Sequence, residues 1–495
     1  MNRIFISGLE LYDLLSTNKK QYQWLLNMNE LRFCIFAERV NNGSVFISID
    51  STKYSKTDGG LGFTNNEDSV FGLGGNINTM DKIDLAIKNN ASIIIVDDIK
   101  HIRQNQSTRF ILVDDCLQLI IDITKKYLSK SKAKVIAITG STGKTTTTIA
   151  LYNFLSVKYR VKRIHRIRNS VLGMCIDIIQ NLCIDDDFLI VEMQLDAENQ
   201  IKNFCNIAQP DYSIITAINL SHYSRFNSTE SIIKEKTQIY DFMNKNGKCI
   251  INGDDENLIN WSRSINNDKI YSIGINYNWS DIVVSNISAV GDYNLLNFNL
   301  NISKKDYGNF TISSPSKGTI YALLFSLYFA KECNYEYDDI LKGISKIKSP
   351  LGRFQGFKGI NNSFILLDSY NANYSSIKNG LEYFSSLSHK KKIVILGSMM
   401  ELGVHTESEH KRVGEYISTN CDISHLITLG EAAFYIATNV HNVIPQNIHS
   451  FYEYEDILET LFEIGVDENT AIYIKGSGAM RMELIAPHIL SEKIF

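Results

Sequence analysis

One decapeptide constrains this chain more than any other stretch: Ala137-Ile138-Thr139-Gly140-Ser141-Thr142-Gly143-Lys144-Thr145-Thr146. The apolar run Lys134-Val135-Ile136 leads into it and reads as a buried strand. Ile149 to Leu155 follows with helical spacing. Glycines, a lysine and a threonine between a strand and a helix start are the makings of a phosphate-binding loop. Backbone N–H groups point at the anion and the helix dipole adds positive potential. Gly140 and Gly143 let the backbone approach the phosphates. Lys144 would reach the terminal phosphates, and the Thr145 hydroxyl would bind Mg²⁺. The loop departs from the common Walker form, because Ile138 stands where the first glycine belongs and Gly140 comes instead. A chance turn rich in Gly and Thr is the competing reading; the agreement of strand, loop, lysine and helix speaks against it.

The 495 residues leave room for about three ordinary domains. A hydrophobic fraction of 44% supplies several cores, and a net charge of −4 with mixed signs gives no case for nucleic acid. The eight cysteines are scattered without a C-x-x-C pair, so neither a disulfide framework nor a zinc module is indicated, and a reducing cytoplasm fits. Met1 to Lys20 mixes charged and apolar residues, unlike a signal peptide. No apolar run approaches the length of about 18 residues that a membrane span needs.

The organisation predicts an α/β protein of three domains. Residues 1–132 form a first unit with strands at Val45–Asp50 and Ala91–Asp97 and helices at Asp81–Asn90 and Cys116–Leu128. From 133 to 347 strands and helices alternate, which predicts a parallel sheet covered by helices. Its strands are the one before the phosphate loop, then Phe188–Glu192, Tyr212–Thr216 and Lys248–Asn252. Ile232–Phe242 and Tyr321–Lys331 read as helices, and 270–314 as β-rich. From 348 to 495 a second, doubly wound, Rossmann-like domain is expected. Its buried strands are Phe364–Asp368, Lys392–Gly397, Leu426–Gly430 and Ala471–Gly476.

Ligands in such sheets gather beyond the C-terminal strand ends, where Glu192 and His222 both fall. They suit a second-metal or phosphate-metal site, or else are a plain strand-end carboxylate and a surface histidine. Lys236 is either a solvated lysine or a group positioned near the metals. The basic run Lys158, Arg160, Lys162, Arg163, His165, Arg166 and Arg168 invites a nucleic-acid reading. Tyr159, Val161, Ile164 and Ile167 interleave with it, however, as in a half-exposed strand edge. Asp368-Ser369-Tyr370-Asn371-Ala372-Asn373 follows a buried strand and is rich in turn formers.

Taken together these residues resemble the Mur ligase family, three-domain ATP-dependent ligases that join an amino acid or dipeptide to a growing cell-wall precursor. The similarity runs from about 134 to 490. It rests on Thr139 to Thr146, Glu192, Asn219 with His222, Ser228-x-Glu230 before Lys236, Asn252-x-Asp254-Asp255 and Gly352-Arg353. It continues through Asp368 to Asn373, Met399-x-Glu401-Leu402-Gly403 and Lys475-Gly476-Ser477. The last three segments are most similar to members that add D-alanyl-D-alanine. The resemblance implies that Gly140, Ser141, Thr142, Gly143, Lys144, Thr145, Thr146 and Asn252 handle ATP, with Arg353 and Asp368 contacting the nucleotide from the last domain. It implies Mg²⁺ at Thr145, Glu192 and His222, and a carbamate on Lys236 as a metal-bridging anion. Tyr370, Asn371, Asn373, Glu401, Lys475 and Ser477 then face the substrates.

The chain departs from the family pattern at named places. One carboxylate before Ser369 is Leu367, the aspartate of Leu-Gly-Asp-Met is Ser398, and the proline after Asn373 is Tyr374. The segment that meets adenine appears as Lys317-Gly318-Thr319-Ile320. In the first unit the expected Asp-Ser-Arg is Asp50-Ser51-Thr52, and no Asp-Gly-His loop stands between Gly74 and Asp84. A missing charge-assisted phosphate contact costs about 1.5–3 kcal/mol, which predicts weak UDP-MurNAc-tripeptide binding or a different acceptor. The expected activity is ATP-dependent amide-bond formation through an acyl phosphate, by a cytoplasmic monomer acting on small molecules. A ligase of this type in another peptide pathway, and a non-catalytic nucleotide-binding protein, are the alternatives.

Overall fold

Runs of β-branched residues set the architecture. Ile93-Ile94-Ile95-Val96 is buried on both faces, as are Val135 to Ile138 and Leu189-Ile190-Val191. Strands apolar on both sides pair in parallel and are covered by helices. The computed structural model describes residues 3–15, 19–49, 79–104, 107–164, 170–195, 198–218, 228–265, 267–276, 282–290, 295–314, 316–350, 352–400 and 402–491.

The first sheet is all parallel, in the order β1 (Arg32–Cys34), β2 (Ser44–Ile47), β3 (Ile93–Val96) and β4 (Arg109–Leu112). The helix Cys116–Lys130, capped by Asp115 on the Leu117 and Gln118 N–H groups, follows β4. It packs on the helix Val171–Asn181. Ile93 and Ile95, Ile120 and Ile123, and Val135, Ala137 and Leu189 therefore belong to one continuous core. The first and central sheets share it.

The central strands are β5 (Lys134–Thr139), β6 (Val161–Arg163), β7 (Phe188–Glu192), β8 (Tyr212–Ile215), β9 (Lys248–Asn252) and β10 (Ile270–Ile273). They run parallel in the order β10-β9-β8-β5-β7-β6. After β5 the chain runs to the edge strand β6, returns to β7 beside β5, then crosses to β8 and continues the other way through β9 and β10. Such a reversal opens a crevice at the C-terminal strand ends, and β5 places the Gly140–Lys144 loop there. Register pairs Ile138 with Glu192 and Thr139 with Ile215. On the opposite sheet face, Ile136, Ile138 and Ile190 pack against the helices Lys144–Leu155 and Lys317–Glu332. An antiparallel sheet of β11 (Ile282–Val290), β12 (Leu295–Ile302) and β13 (Lys305–Ser313) adds Phe298 and Leu300 to that core.

The last sheet has the order β14-β15-β19-β16-β17-β18. These strands are Gln355–Lys358, Phe364–Asp368, Thr470–Lys475, Lys391–Gly397, His425–Leu429 and Ile448–Phe451 respectively. Helices cover both faces, each with its own core. β14 runs antiparallel to β15, so the sheet is mixed rather than wholly parallel. Four residues including a glycine carry too little alternation to announce an edge strand. Two helices begin earlier than their apolar spacing suggests, at Lys144 rather than Ile149 and at Lys317 rather than Tyr321. Their first turns are polar and are defined by the loop before them, not by a hydrophobic stripe.

Candidate active site

The phosphate loop is built on two glycines in the left-handed half of backbone space, Gly140 at φ +148° and Gly143 at φ +82°. A Cβ on Gly140 would lie 2.0 Å from Thr216 Oγ1, so no side chain fits there. That threonine, the residue after β8, braces the loop. Its hydroxyl lies 2.5 Å from the Thr142 carbonyl and 3.2 Å from the Thr139 carbonyl, and the Ser141 N–H donates to the Ala217 carbonyl at 2.7 Å. Nothing in the spacing of the loop itself points to Thr216. Thr146 stands in the first turn of the Lys144–Leu155 helix, whose N-cap is Gly143. Lys144 Nζ donates to the Gly140 carbonyl at 2.7 Å and so lies folded over the loop.

Thr145 and Glu192 meet directly. The Thr145 hydroxyl lies 2.8 and 2.9 Å from the two Glu192 carboxylate oxygens, and both side chains are buried. A buried carboxylate calls for a cationic partner or a full set of donors. Lys236, on the helix Thr229–Asp241, has no exposed surface at all, which removes the reading of a solvated lysine. That helix, capped by Ser228 on the Ser231 N–H, lies over β5 and β8. Asn219 and His222 lie outside the described residues.

Asn252 ends β9 and accepts the Asp254 N–H at 3.0 Å. Asp254 accepts the Ile275 N–H at 2.7 Å and the Tyr321 hydroxyl at 2.9 Å. Asp255 accepts the N–H groups of Ile218 at 2.8 Å and Leu258 at 3.0 Å, and burial pushes its carboxyl up. Both aspartates therefore hold loops around the crevice. Of the basic run, Lys158 pairs with Asp339 and Arg160 with Asp185, while Arg163 lies over the Tyr152 ring, as a solvated edge would. His165, Arg166 and Arg168 lie outside the described residues.

A second group forms at the strand ends of the last sheet. Asp368 ends β15 and Lys475 ends β19, side by side in register. Lys475 Nζ, almost wholly buried, lies 2.5 Å from Asp368 Oδ2 and 2.9 Å from the Asn371 carbonyl. Burial pushes the Asp368 carboxyl up, against the pull of Lys475 and Arg353. Asp368 Oδ1 accepts the Phe354 N–H at 3.1 Å, and the Arg353 guanidinium stacks 3.7 Å from the centre of the Tyr370 ring. Asn373 caps the helix Tyr374–Ser385, so its side chain serves the fold. Asn371 is exposed and its Oδ1 accepts the Ala372 N–H.

Beside this group opens a cavity of about 640 Å³ lined by Ser398, Met400, Val404, Gly430, Tyr435 and Met480 among others. Ser477 Oγ accepts the Met400 N–H at 2.9 Å, and Ser398 Oγ accepts the Ala433 N–H at 3.1 Å. His410 is fully buried. Its Nε2 accepts the Met399 N–H at 2.8 Å and its Nδ1 lies 2.6 Å from the Thr406 carbonyl, which fixes the neutral tautomer with the proton on Nδ1. Burial lowers its pKa to match. Glu401 lies outside the described residues. So do Thr52 and the stretch 74–78 of the first unit.

Two family models match the chain, the Mur ligase middle domain over residues 138–328 and the Mur ligase glutamate ligase domain over 352–478. The chain belongs to the Mur ligase family. The UDP-N-acetylmuramoyl-tripeptide–D-alanyl-D-alanine ligase of Bacillus subtilis is 27% identical over 386 residues, covering 78% of this chain and 82% of that one. Among solved structures, MurF from Acinetobacter baumannii has a TM-score of 0.78 at 17% identity, covering 99% of both chains. The MurF ligase of Thermotoga maritima, solved with ADP, has a TM-score of 0.75 at 21% identity, covering 92% of this chain and 96% of that one. At these identities the two structures speak for the fold. The Mur ligase fold accounts for a phosphate loop in the central sheet and a separate mixed sheet after residue 352.

Proposed function

We infer that this Mur ligase forms an amide bond at the expense of ATP, through an acyl phosphate, and joins D-alanyl-D-alanine or a similar amine to the carboxylate of a UDP-MurNAc-tripeptide-type precursor. The observation that carries this reading is the Gly140–Thr145 loop, whose Thr145 hydroxyl meets the buried Glu192 carboxylate. Thr145 and Glu192 offer hard oxygen donors, the chemistry Mg²⁺ prefers. Thr145, Glu192, His222 and a carbamate on Lys236 would hold the metal. When bound it offsets phosphate charge. Lys144 leaves the Gly140 carbonyl for the terminal phosphate, and the loop N–H groups of Gly140 to Thr146 orient the nucleotide. Asn252, Arg353 and Asp368 complete the nucleotide site.

We assign residues 1–132 to the acceptor, 133–347 to ATP and 348–495 to the amine donor, with Tyr370, Asn371, Glu401, Lys475 and Ser477 on the substrate side. The acceptor carboxylate attacks the γ-phosphate and releases ADP. The amine then displaces inorganic phosphate through a tetrahedral intermediate, and closure excludes water from the acyl phosphate. No helix among the described residues is long and apolar enough to cross a membrane. A monomer working on small molecules in the cytoplasm is the fitting setting.

A second reading, the same chemistry on an acceptor other than a UDP-sugar, is favoured by Thr52 in place of an arginine. Phosphate release from ATP tests both. The first reading expects release that requires UDP-MurNAc-tripeptide and D-alanyl-D-alanine together. Turnover with other carboxylate–amine pairs only would support the second, and no amine-dependent release with any pair would overturn both.

A further inference from the structure

Glu235, the neighbour of Lys236, is buried to 8% exposure in the central domain. Glutamates are rarely buried without a partner, and this one reaches out of its own helix. Its Oε2 accepts the backbone N–H of Asn199 at 2.8 Å. Asn199 has φ +59° and stands at the N-cap of the helix Gln200–Ile207 without a side-chain cap of its own. A carboxylate arriving from another helix thus satisfies a backbone donor at a helix start, where negative charge is favoured.

The position of that bond is what matters. The segment that leaves Glu192 is pinned first to the phosphate-loop strand. The Met193 N–H donates to the Ile138 carbonyl at 2.8 Å, and the Thr139 hydroxyl donates to the Met193 carbonyl at 3.1 Å. Seven residues beyond Glu192, the same chain is pinned by Glu235 to the helix that carries Lys236. We propose that Glu235 is a positioning residue for the metal platform, tying the β7 end with Glu192 to the helix with Lys236 so that the two groups keep one spacing. Residues that orient metal-holding groups from behind shift metal affinity when removed, by about tenfold or more. This inference rests on the Mg²⁺ reading of Thr145, Glu192 and Lys236.

The test uses Glu235→Met, which keeps the side-chain length and removes the acceptor, and Glu235→Gln, which keeps an acceptor oxygen. Mg²⁺-dependent binding of a non-hydrolysable ATP analogue is followed by calorimetry, so the readout is affinity and not turnover. Glu235→Met should need about tenfold more Mg²⁺ for half-maximal binding, and Glu235→Gln should stay close to the wild type. A purely structural role would lower the melting temperature of Glu235→Met and leave the Mg²⁺ requirement where it was, which overturns the proposal. Hydrogen exchange on the wild type gives a second arm that needs no variant to fold. Mg²⁺ with the analogue should slow exchange at the Asn199 amide, and unchanged exchange there contradicts the coupling. Wild-type nucleotide binding that ignores Mg²⁺ altogether would instead remove the metal reading itself.

Discussion

Lys144 and Lys236 are both lysines of the central unit, and their surroundings differ. Lys144 rests on a backbone carbonyl of its own loop. Lys144→Ala should abolish ATP turnover at saturating ATP while leaving the melting temperature close to the wild type; near-normal turnover in steady-state assays would remove the loop from the account. Lys236 is buried completely, on the helix that lies over β5 and β8, and the proposed metal site has use for an anion. A carbamate supplies that anion, and a plain ammonium does not. Lys236→Ala should lose activity, and added short carboxylic acids should restore part of it. Density at high resolution showing an unmodified, solvent-facing Lys236 beside bound nucleotide would count against the carbamate.

Elements, rather than single residues, decide how much was legible in advance. The phosphate loop and the strands ending in Glu192, Asn252, Asp368 and Lys475 are plain in the sequence, because short apolar runs bounded by polar residues alternate there with helical patterns. Thr216 and Glu235 are not, since each acts across space on a backbone group that lies far along the chain. The β14 edge strand is silent for the opposite reason, being too short to show a period. The first helix of the chain shows a device of the same cross-chain kind. Ser7 and Glu10 form a capping box for the helix Gly8–Leu14, and Lys130 Nζ lies 2.6 Å from Glu10 Oε2. Burial alone would raise the Glu10 pKa; Lys130 and the Ser7 N–H outweigh it and bring it down from 4.5 to about 2. A carboxylate with a depressed pKa in the fold contributes stability above its unfolded pKa and loses it as pH falls through the folded value. The contribution should therefore be whole at neutral pH and vanish between pH 4.5 and about 2. Glu10→Gln should cost about 1–2 kcal/mol at pH 7, allowing for partial exposure, and nearly nothing near pH 2. Denaturant melts at the two pH values measure it, and an equal loss at both would contradict the ion-pair origin.

At the scale of the molecule, the first and central sheets share a core, while the last sheet keeps its two cores to itself. Ser349, at the junction of the central and last units, is bonded on both sides. Ser349 Oγ lies 2.7 Å from Ser314 Oγ in the central unit, and Gln355 Nε2 donates to the Ser349 carbonyl from the other side. The proposed assignment, with acceptor and ATP on the two units that share a core and the amine donor on the third, fits that arrangement. In the proposed reaction the acceptor carboxylate becomes an acyl phosphate on the way to the amide. An acceptor labelled with ¹⁸O in that carboxylate tests it most directly, with mass analysis of the inorganic phosphate released in the presence of ATP and amine. Each phosphate should carry one oxygen from the acceptor; phosphate free of the label, with amide product formed, would exclude the acyl phosphate.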